Sequence, residues 1–460
     1  MADPRVIIVG AGPAGIRAAE TLVAVGLRPT VVDEAAAGGG QIYRRQPENF
    51  TRPADRLYGT EAQKAGAVHA TADALRERVD YLASALAWNV RDGKLYVQRA
   101  DGTASALPFD ALIIAAGATD RVMAVPGWTL PGVYSLGAAQ IALKAQACAI
   151  GRKVAFLGTG PLLYLVAHQY AAAGATIAAV LDTSPLSARI KALPRLAARL
   201  GTLAKGWSYL RSLRQRRVPV FTGITPVRVN GNARAGVTAL VAQESNGRQL
   251  VLDCDAVALG YHLRPETQLA DLAQCVFVFD RLTRQWMVGT DQDGRTSRKG
   301  IYLAGDGGRI LGADGAEIQG RLAAHAVLQD LGYAVSVATM RRLRTAARRM
   351  DRFRQGLARA FPWPWRLAGS VPDDTIVCRC EAITAGEIRG VLQGKGANEL
   401  NRAKAFSRVG MGRCQGRYCG HTAAELLADA AGVSIEAVGR LRGQAPVKPL
   451  PIATDLVTTP

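Results

Sequence analysis

The sequence holds no CxxC pair, only five histidines, and no apolar run near the roughly 20 residues needed to span a bilayer. Without a CxxC, thiol–disulfide exchange between neighbouring cysteines is excluded. With so little histidine and no nucleophile beside a base, acid–base hydrolysis is not indicated, nor is a histidine-ligated zinc centre, and no catalytic residue is assigned. Aromatic residues make up 6% of the chain and nowhere interleave with its cations in the manner of a base-reading module, so the net charge of +20 does not point to nucleic acid. The opening MADPRVIIVGAG lacks a basic n-region and a small-residue cleavage site. That argues against secretion and for a cytoplasmic location without a transmembrane segment, peripheral membrane contact aside. Seven cysteines, an odd number, argue against a disulfide framework. Cys148, Cys254 and Cys275 stand alone and are expected to be buried small hydrophobes.

What is present in quantity is glycine, 49 of 460 residues, beside a hydrophobic fraction of 49%. That pairing suits an α/β fold in which tight turns join short strands to helices, and the length requires two or three cores. Residues 5–34 read as a strand (Arg5–Val9), a turn (Gly10-Ala11-Gly12-Pro13-Ala14-Gly15), an alanine-rich helix and a second strand ending at Asp33 and Glu34. A second βαβ unit spans Lys153–Asp182, with the turn Gly158-Thr159-Gly160-Pro161-Leu162-Leu163. Alternating strands follow over Val218–Val257, and the segment around Ala304-Gly305-Asp306 is expected to return to the first unit. Two prolines in Phe361-Pro362-Trp363-Pro364-Trp365 forbid a helix and mark a linker. The expected division is 1–125 with 291–335 for the first nucleotide-binding domain and 126–290 for the second, both Rossmann-like. A helical linker (336–372), a small helical module (373–440) and a tail (441–460) follow. Arginines at helical spacing concentrate in 189–217 and 341–366, where a solvated face or a docking surface for an acidic partner accounts for them.

In the first unit the glycines allow close backbone approach to a pyrophosphate, and the helix N-terminus favours its charge. Asp33, 23 positions after Gly10, ends the second strand where ribose hydroxyls would be accepted. Together with Gly39-Gly40-Gln41-Ile42-Tyr43, the strand Ala111–Thr119 and Ala304-Gly305-Asp306, this set resembles the two-dinucleotide-domain flavoproteins related to glutathione reductase and thioredoxin reductase, over roughly residues 5–330. The resemblance implies FAD held by Gly10, Gly12, Pro13, Ala14, Gly15, Asp33, Glu34, Gly40, Gln41, Ala116, Gly117 and Gly305, with Asp306 on the ribityl chain. In the second unit Leu163 stands where a third glycine is expected. Gly158, Gly160 and Asp182 either hold an adenine nucleotide, NAD or ATP, or are a vestige, and the Asp182 carboxylate would repel a 2′-phosphate. His262 reads as structural rather than as a flavin neighbour, and His421 as a helix-start residue.

Cys378-Arg379-Cys380 and, 33 residues later, Cys414-Gln415-Gly416-Arg417-Tyr418-Cys419 supply four thiolates able to bind a tetrahedral metal or a [2Fe-2S] cluster. Structural zinc favours a wider gap than CxC. The one-residue gap resembles the bacterioferritin-associated ferredoxin family, which implies [2Fe-2S], while the second pair departs from that family's usual shorter gap. Arg408, Gly410, Gly412 and Arg413 bring amides and positive charge toward the sulfurs.

In this order the parts resemble, over nearly the whole chain, the α-type subunit of bacterial heteromeric flavin dehydrogenases: opine oxidases, D-hydroxyproline and proline dehydrogenases, and hydrogen cyanide synthase. The resemblance implies an oxidoreductase acting on CH–NH donors, in which an amino-acid-oxidase-like flavoprotein β subunit oxidises the C–N bond. This chain would pass electrons through FAD and [2Fe-2S] to a respiratory acceptor, with FMN at the subunit interface in some relatives. A self-sufficient NADH-dependent reductase and a non-catalytic flavin-binding redox sensor are the rival readings.

Overall fold

The computed structural model describes residues 3–47, 49 and 52–451, so the last nine residues of the expected tail lie outside the described part. Two five-stranded sheets carry the fold. The first runs Ile301–Leu303, Ala111–Ile114, Val6–Val9, Thr30–Val32, Asp80–Leu82, all parallel, with Ile7 opposite Thr30 and both Val9 and Leu303 opposite Ile114. Val6–Val9 is buried at every position, as a central parallel strand must be when both faces are covered, here by helices on one side and mainly by the strands Ala85–Arg91 and Lys94–Arg99 on the other. The helix Pro13–Val23 follows, its leading proline lacking only an amide that would have no intrahelical partner. Its buried alanines let it pack closely on the helix Gly312–Asp330, where the Gly320 α-carbon lies against the Ala14 backbone.

The second sheet runs Val220–Thr222, Thr176–Asp182, Lys153–Thr159, Ala256–Tyr261, Val133–Ser135, again all parallel. The units are joined by an antiparallel ribbon in which Leu263–Pro265 pairs with Ala118–Asp120. There the chain crosses back, well before the expected boundary at residue 290. Leu269, Ala270, Cys275 and Val288 share a core with Ile7, Leu112, Ile114 and Ile301, so residues 268–288 pack with the first unit. No glycine or proline cluster marks this crossing, because an extended ribbon makes it.

The helix Val337–Ala360 is capped by Ser336, which accepts from the Thr339 amide at 3.2 Å, and buries Met340, Leu343, Met350 and Phe353 with most arginines outside. Beyond it the C-terminal module contains a short ribbon (Ile376–Cys378 with Ile383–Thr384) and the helices Ala385–Lys395, Leu400–Ser407 and Cys419–Ala431. It does not hang from a tether. Val377, Ile388 and Leu426 form one continuous hydrophobic core with Trp128, Leu240 and Tyr261 of the second unit, and Trp363 of the linker belongs to the same core. The Trp128 indole donates to the Ile376 carbonyl at 2.6 Å, and the Thr422 hydroxyl to the Val122 carbonyl at 2.7 Å. Cys254 and Cys275 are buried, but Cys148 is exposed, since it falls in the irregular turn after the helix Leu136–Ala145. No described helix is long and apolar enough to cross a membrane.

Candidate cofactor cavity and cysteine cluster

A cavity of ≈ 2080 Å³ is lined by both units. From the first unit come Gly10, Gly12, Pro13, Ala14, Asp33, Glu34, Gly40, Gln41, Ala116, Gly117, Gly305 and Asp306. Gly15 lies behind this lining, its α-carbon against the Gly10 carbonyl. Gly10 has φ +102°, and a Cβ there would collide with the Ala115 carbonyl. A Cβ on Gly40 would stand 2.8 Å from the Gly12 α-carbon. The helix Pro13–Val23 has no side-chain cap and no acid in its first turn, so its leading amides and dipole remain available to an anion. This all-backbone cradle at an uncapped helix start fits a dinucleotide pyrophosphate.

Asp33 accepts from the Ala11 amide and, at 2.6 Å, from the Ala35 amide, while burial raises its carboxyl. Asp306 accepts from the Leu311 and Gly312 amides at 2.9 and 3.2 Å, and burial pushes it up to about 6. Glu34 is paired with Lys448 at 2.6 Å, which brings the start of the tail across the cavity rim. Lys144, which no motif marks, also lines the cavity: it is buried, donates to the Ile42 carbonyl at 2.9 Å, and is pushed down to about 8 by burial.

Cys378 and Cys419 are buried, Cys380 and Cys414 half-buried. Cys419 interacts with both Cys378 and Cys414, and Cys414 with Cys380, so the four sulfurs form a chain of neighbours. The Cys419 contact draws Cys378 down to about 6 and also lowers Cys414, while Cys419 itself is raised. Among the described residues no three His, Cys, Asp or Glu side chains converge on a single-ion position. An all-sulfur set in two adjoining pairs fits a cluster of two irons.

The cysteine loop is part of the cavity wall, to which Arg413, Cys414, Arg417 and Tyr418 contribute. The Glu266 amide donates to the Gly117 carbonyl at 2.9 Å, and its carboxylate accepts from Arg417 Nε at 2.7 Å. Burial alone would raise Glu266, but Arg417 and Arg264 hold it below the usual range. Arg264 donates to the Arg417 carbonyl at 3.0 Å, and Gln268 to the Gln415 carbonyl at 2.9 Å. The segment just after the interdomain ribbon therefore clamps the loop from one side.

In the second unit neither Gly158, Gly160 nor Asp182 lines the cavity. Asp182 Oδ1 accepts from the Thr159 hydroxyl at 2.8 Å and from the Ser184 amide and hydroxyl, each at 2.7 Å. Its Oδ2 accepts from Tyr164 at 2.8 Å and Arg189 at 2.6 Å. The Arg189 guanidinium lies over the Tyr164 and Phe361 rings. A Cβ on Gly160 would stand 3.1 Å from His262 Nδ1, and His262 Nε2 contacts the Phe361 carbonyl. Burial lowers His262 to about 4, which keeps it neutral. His421 lies in the first turn of Cys419–Ala431 against Arg121, and burial lowers it to about 3.

The pyridine nucleotide-disulphide oxidoreductase family profile matches residues 4–326, and the BFD-like [2Fe-2S] binding domain profile matches 376–429. The chain is 38% identical to an opine oxidase subunit of Rhizobium meliloti, over 97% of this chain and 86% of that protein. It is 30% identical to the HcnB subunit of hydrogen cyanide synthase from Pseudomonas protegens, over 97% and 96%. Its fold matches L-proline dehydrogenase of P. horikoshii with a TM-score of 0.68 at 19% identity, covering 98% of this chain and 79% of the other.

Proposed function

Because the chain belongs to the pyridine nucleotide-disulphide oxidoreductase family, with a BFD-like [2Fe-2S] domain behind it, we propose that it serves an enzyme oxidising the C–N bond of an opine, imino acid or amino acid. It is the flavin and iron–sulfur subunit of a heteromeric dehydrogenase, and its cofactors are FAD and [2Fe-2S]. When bound, these supply two-electron acceptance and one-electron relay. The observation that carries the reading is the cavity wall shared by the glycine cradle and the Cys414 loop.

Gly10, Gly12, Pro13, Ala14 and Gly15 form the pyrophosphate cradle, Asp33 and Glu34 face the adenosine ribose, and Gly40, Gln41, Ala116, Gly117, Gly305 and Asp306 hold the remainder of FAD. Cys378, Cys380, Cys414 and Cys419 hold the cluster. The second unit carries no nicotinamide, since the Asp182 oxygens are committed to the protein's own donors; this speaks against the NADH-dependent reductase. Substrate oxidation falls to an amino-acid-oxidase-like partner, with any FMN at the interface and a respiratory acceptor as the electron outlet. Free cysteines and an iron–sulfur ligand set suit a reducing, cytoplasmic compartment.

The test is co-expression with an amino-acid-oxidase-like flavoprotein from the same organism and assay of the purified pair on opines, D-hydroxyproline, proline and glycine with a dye acceptor. The pair should turn over at least one of these, and the chain alone none. Equal rates for the chain alone would overturn the two-subunit reading.

A further inference from the structure

Residues 186–217 contain nine Lys and Arg and no Asp or Glu. They fold into the helices Leu186–Leu196 and Leu200–Gln215. The first is apolar on two sides: Ala192 and Leu196 pack on Phe353 and Ala360 of the long helix, while Leu186, Ile190 and Leu193 face outward, 58, 59 and 48% exposed. Spaced by four and three residues, these three form one stripe. Trp207 of the second helix is 64% exposed, and all four side chains line the mouth of the flavin cavity. Three cations of the segment have acid partners within the chain, Arg189 with Asp182, Arg199 with Asp314 and Lys205 with Glu61. Lys191, Arg195, Arg211, Arg214 and Arg217 are exposed and form no ion pair among the described residues.

We propose that this helical pair docks the partner subunit of the heteromeric dehydrogenase, through a partner surface with an apolar centre and a rim of carboxylates. Exposed apolar side chains and a tryptophan at a cavity mouth, on two helices that also carry unpaired cations, have the make-up of an interface. Their charge decides the occupant. A second copy of this chain, net charge +20, would bring like charge to the unpaired cations of these helices. A bilayer, being flat, would bridge the recess the stripe borders, whereas a protein can fill it and close the flavin cavity from solvent. The inference rests on the heteromeric reading above and adds to it where the complex forms.

The experiment uses the full chain, loaded with FAD and iron, and an amino-acid-oxidase-like flavoprotein from the same organism, with complex formation followed by light scattering and titration. Ile190→Asp with Trp207→Ala, and separately Arg211→Glu with Arg214→Glu, should each weaken the complex by at least about tenfold while flavin absorbance and iron content stay at wild-type level. Arg341→Glu with Arg342→Glu, exposed on the long helix, should bind as wild type. Unchanged affinity of the first two variants overturns the proposal, as does loss confined to the Arg341/Arg342 variant. Loss of binding to vesicles of anionic phospholipid with the subunit complex intact would reassign the patch to a membrane. If the wild-type chain forms no complex, the proposed function fails first and this surface with it.

Discussion

Arg417 and Glu266 form an ion pair at 2.7 Å that fastens the cysteine loop to the wall of the cavity that the glycine cradle lines. Arg417 also donates to the Val447 carbonyl at 2.7 Å, so one side chain joins the loop, the cavity wall and the tail. Both partners of the pair are largely buried. Removing one leaves an uncompensated charge, a change worth about 3–5 kcal/mol. Arg417→Met and Glu266→Gln should therefore each lower the unfolding free energy by about that amount, and the double variant Arg417→Met/Glu266→Gln by less than their sum. Denaturant titration of the four proteins of the cycle checks it.

Gly10→Ala would place a methyl group against the Ala115 carbonyl at a φ of +102°. The strand end has to move out of the cradle, and FAD affinity should fall at least about tenfold, since backbone strain of this kind amounts to about 1–2 kcal/mol or more. Flavin-to-protein absorbance after gel filtration measures the loss.

Replacing Cys378 or Cys414 by serine should abolish iron binding and leave flavin content near wild type, because neither thiol belongs to the glycine cradle. Iron analysis beside the flavin spectrum separates the two. Flavin lost in step with iron would show that the two sites are not independent.

Millimolar NADH should leave the flavin spectrum of the purified chain unbleached in stopped flow, because the carboxylate expected at the ribose is held by Thr159, Tyr164, Ser184 and Arg189. Rapid bleaching would return the second unit to the nicotinamide reading.

Glu425 is buried beside His421, Arg284 and Trp363. Burial would raise its carboxyl, but the hydrogen bonds to His421 and Arg284 prevail and hold it down to about 2. A carboxyl lowered on folding contributes stability that is complete above the unfolded-state pKa and is lost as pH falls toward the folded one. The window here runs from about 4.5 down to about 2 and is worth on the order of 3 kcal/mol. Glu425→Gln should flatten the pH dependence of the melting temperature in that window.

The glycine cradle, Asp33, Asp306 and the cysteine quartet were legible in the sequence because each is a local device: a turn, a strand end or a fixed spacing opens or closes an element. What sequence could not show is the fate of Asp182. A carboxylate 24 positions after Gly158 looks available until Arg189, from the following helix, and Tyr164, from the preceding one, converge on it. Lys144 and Glu266 were equally hidden, since their burial depends on contacts with Ile42 and Arg417, far away in the chain. The early return at Leu263–Pro265 escaped notice because a paired extended ribbon carries no cluster of turn residues, its single proline sitting within the pairing.

The core shared by the second sheet and the C-terminal module bears on the retention of iron. Cys378 and Cys419 are 0 and 2% exposed within it, while Cys380 and Cys414 are half-buried and Cys414 faces the cavity. Opening that core uncovers both buried thiols together with the second sheet, so loss of iron and loss of the fold should run in parallel on heating.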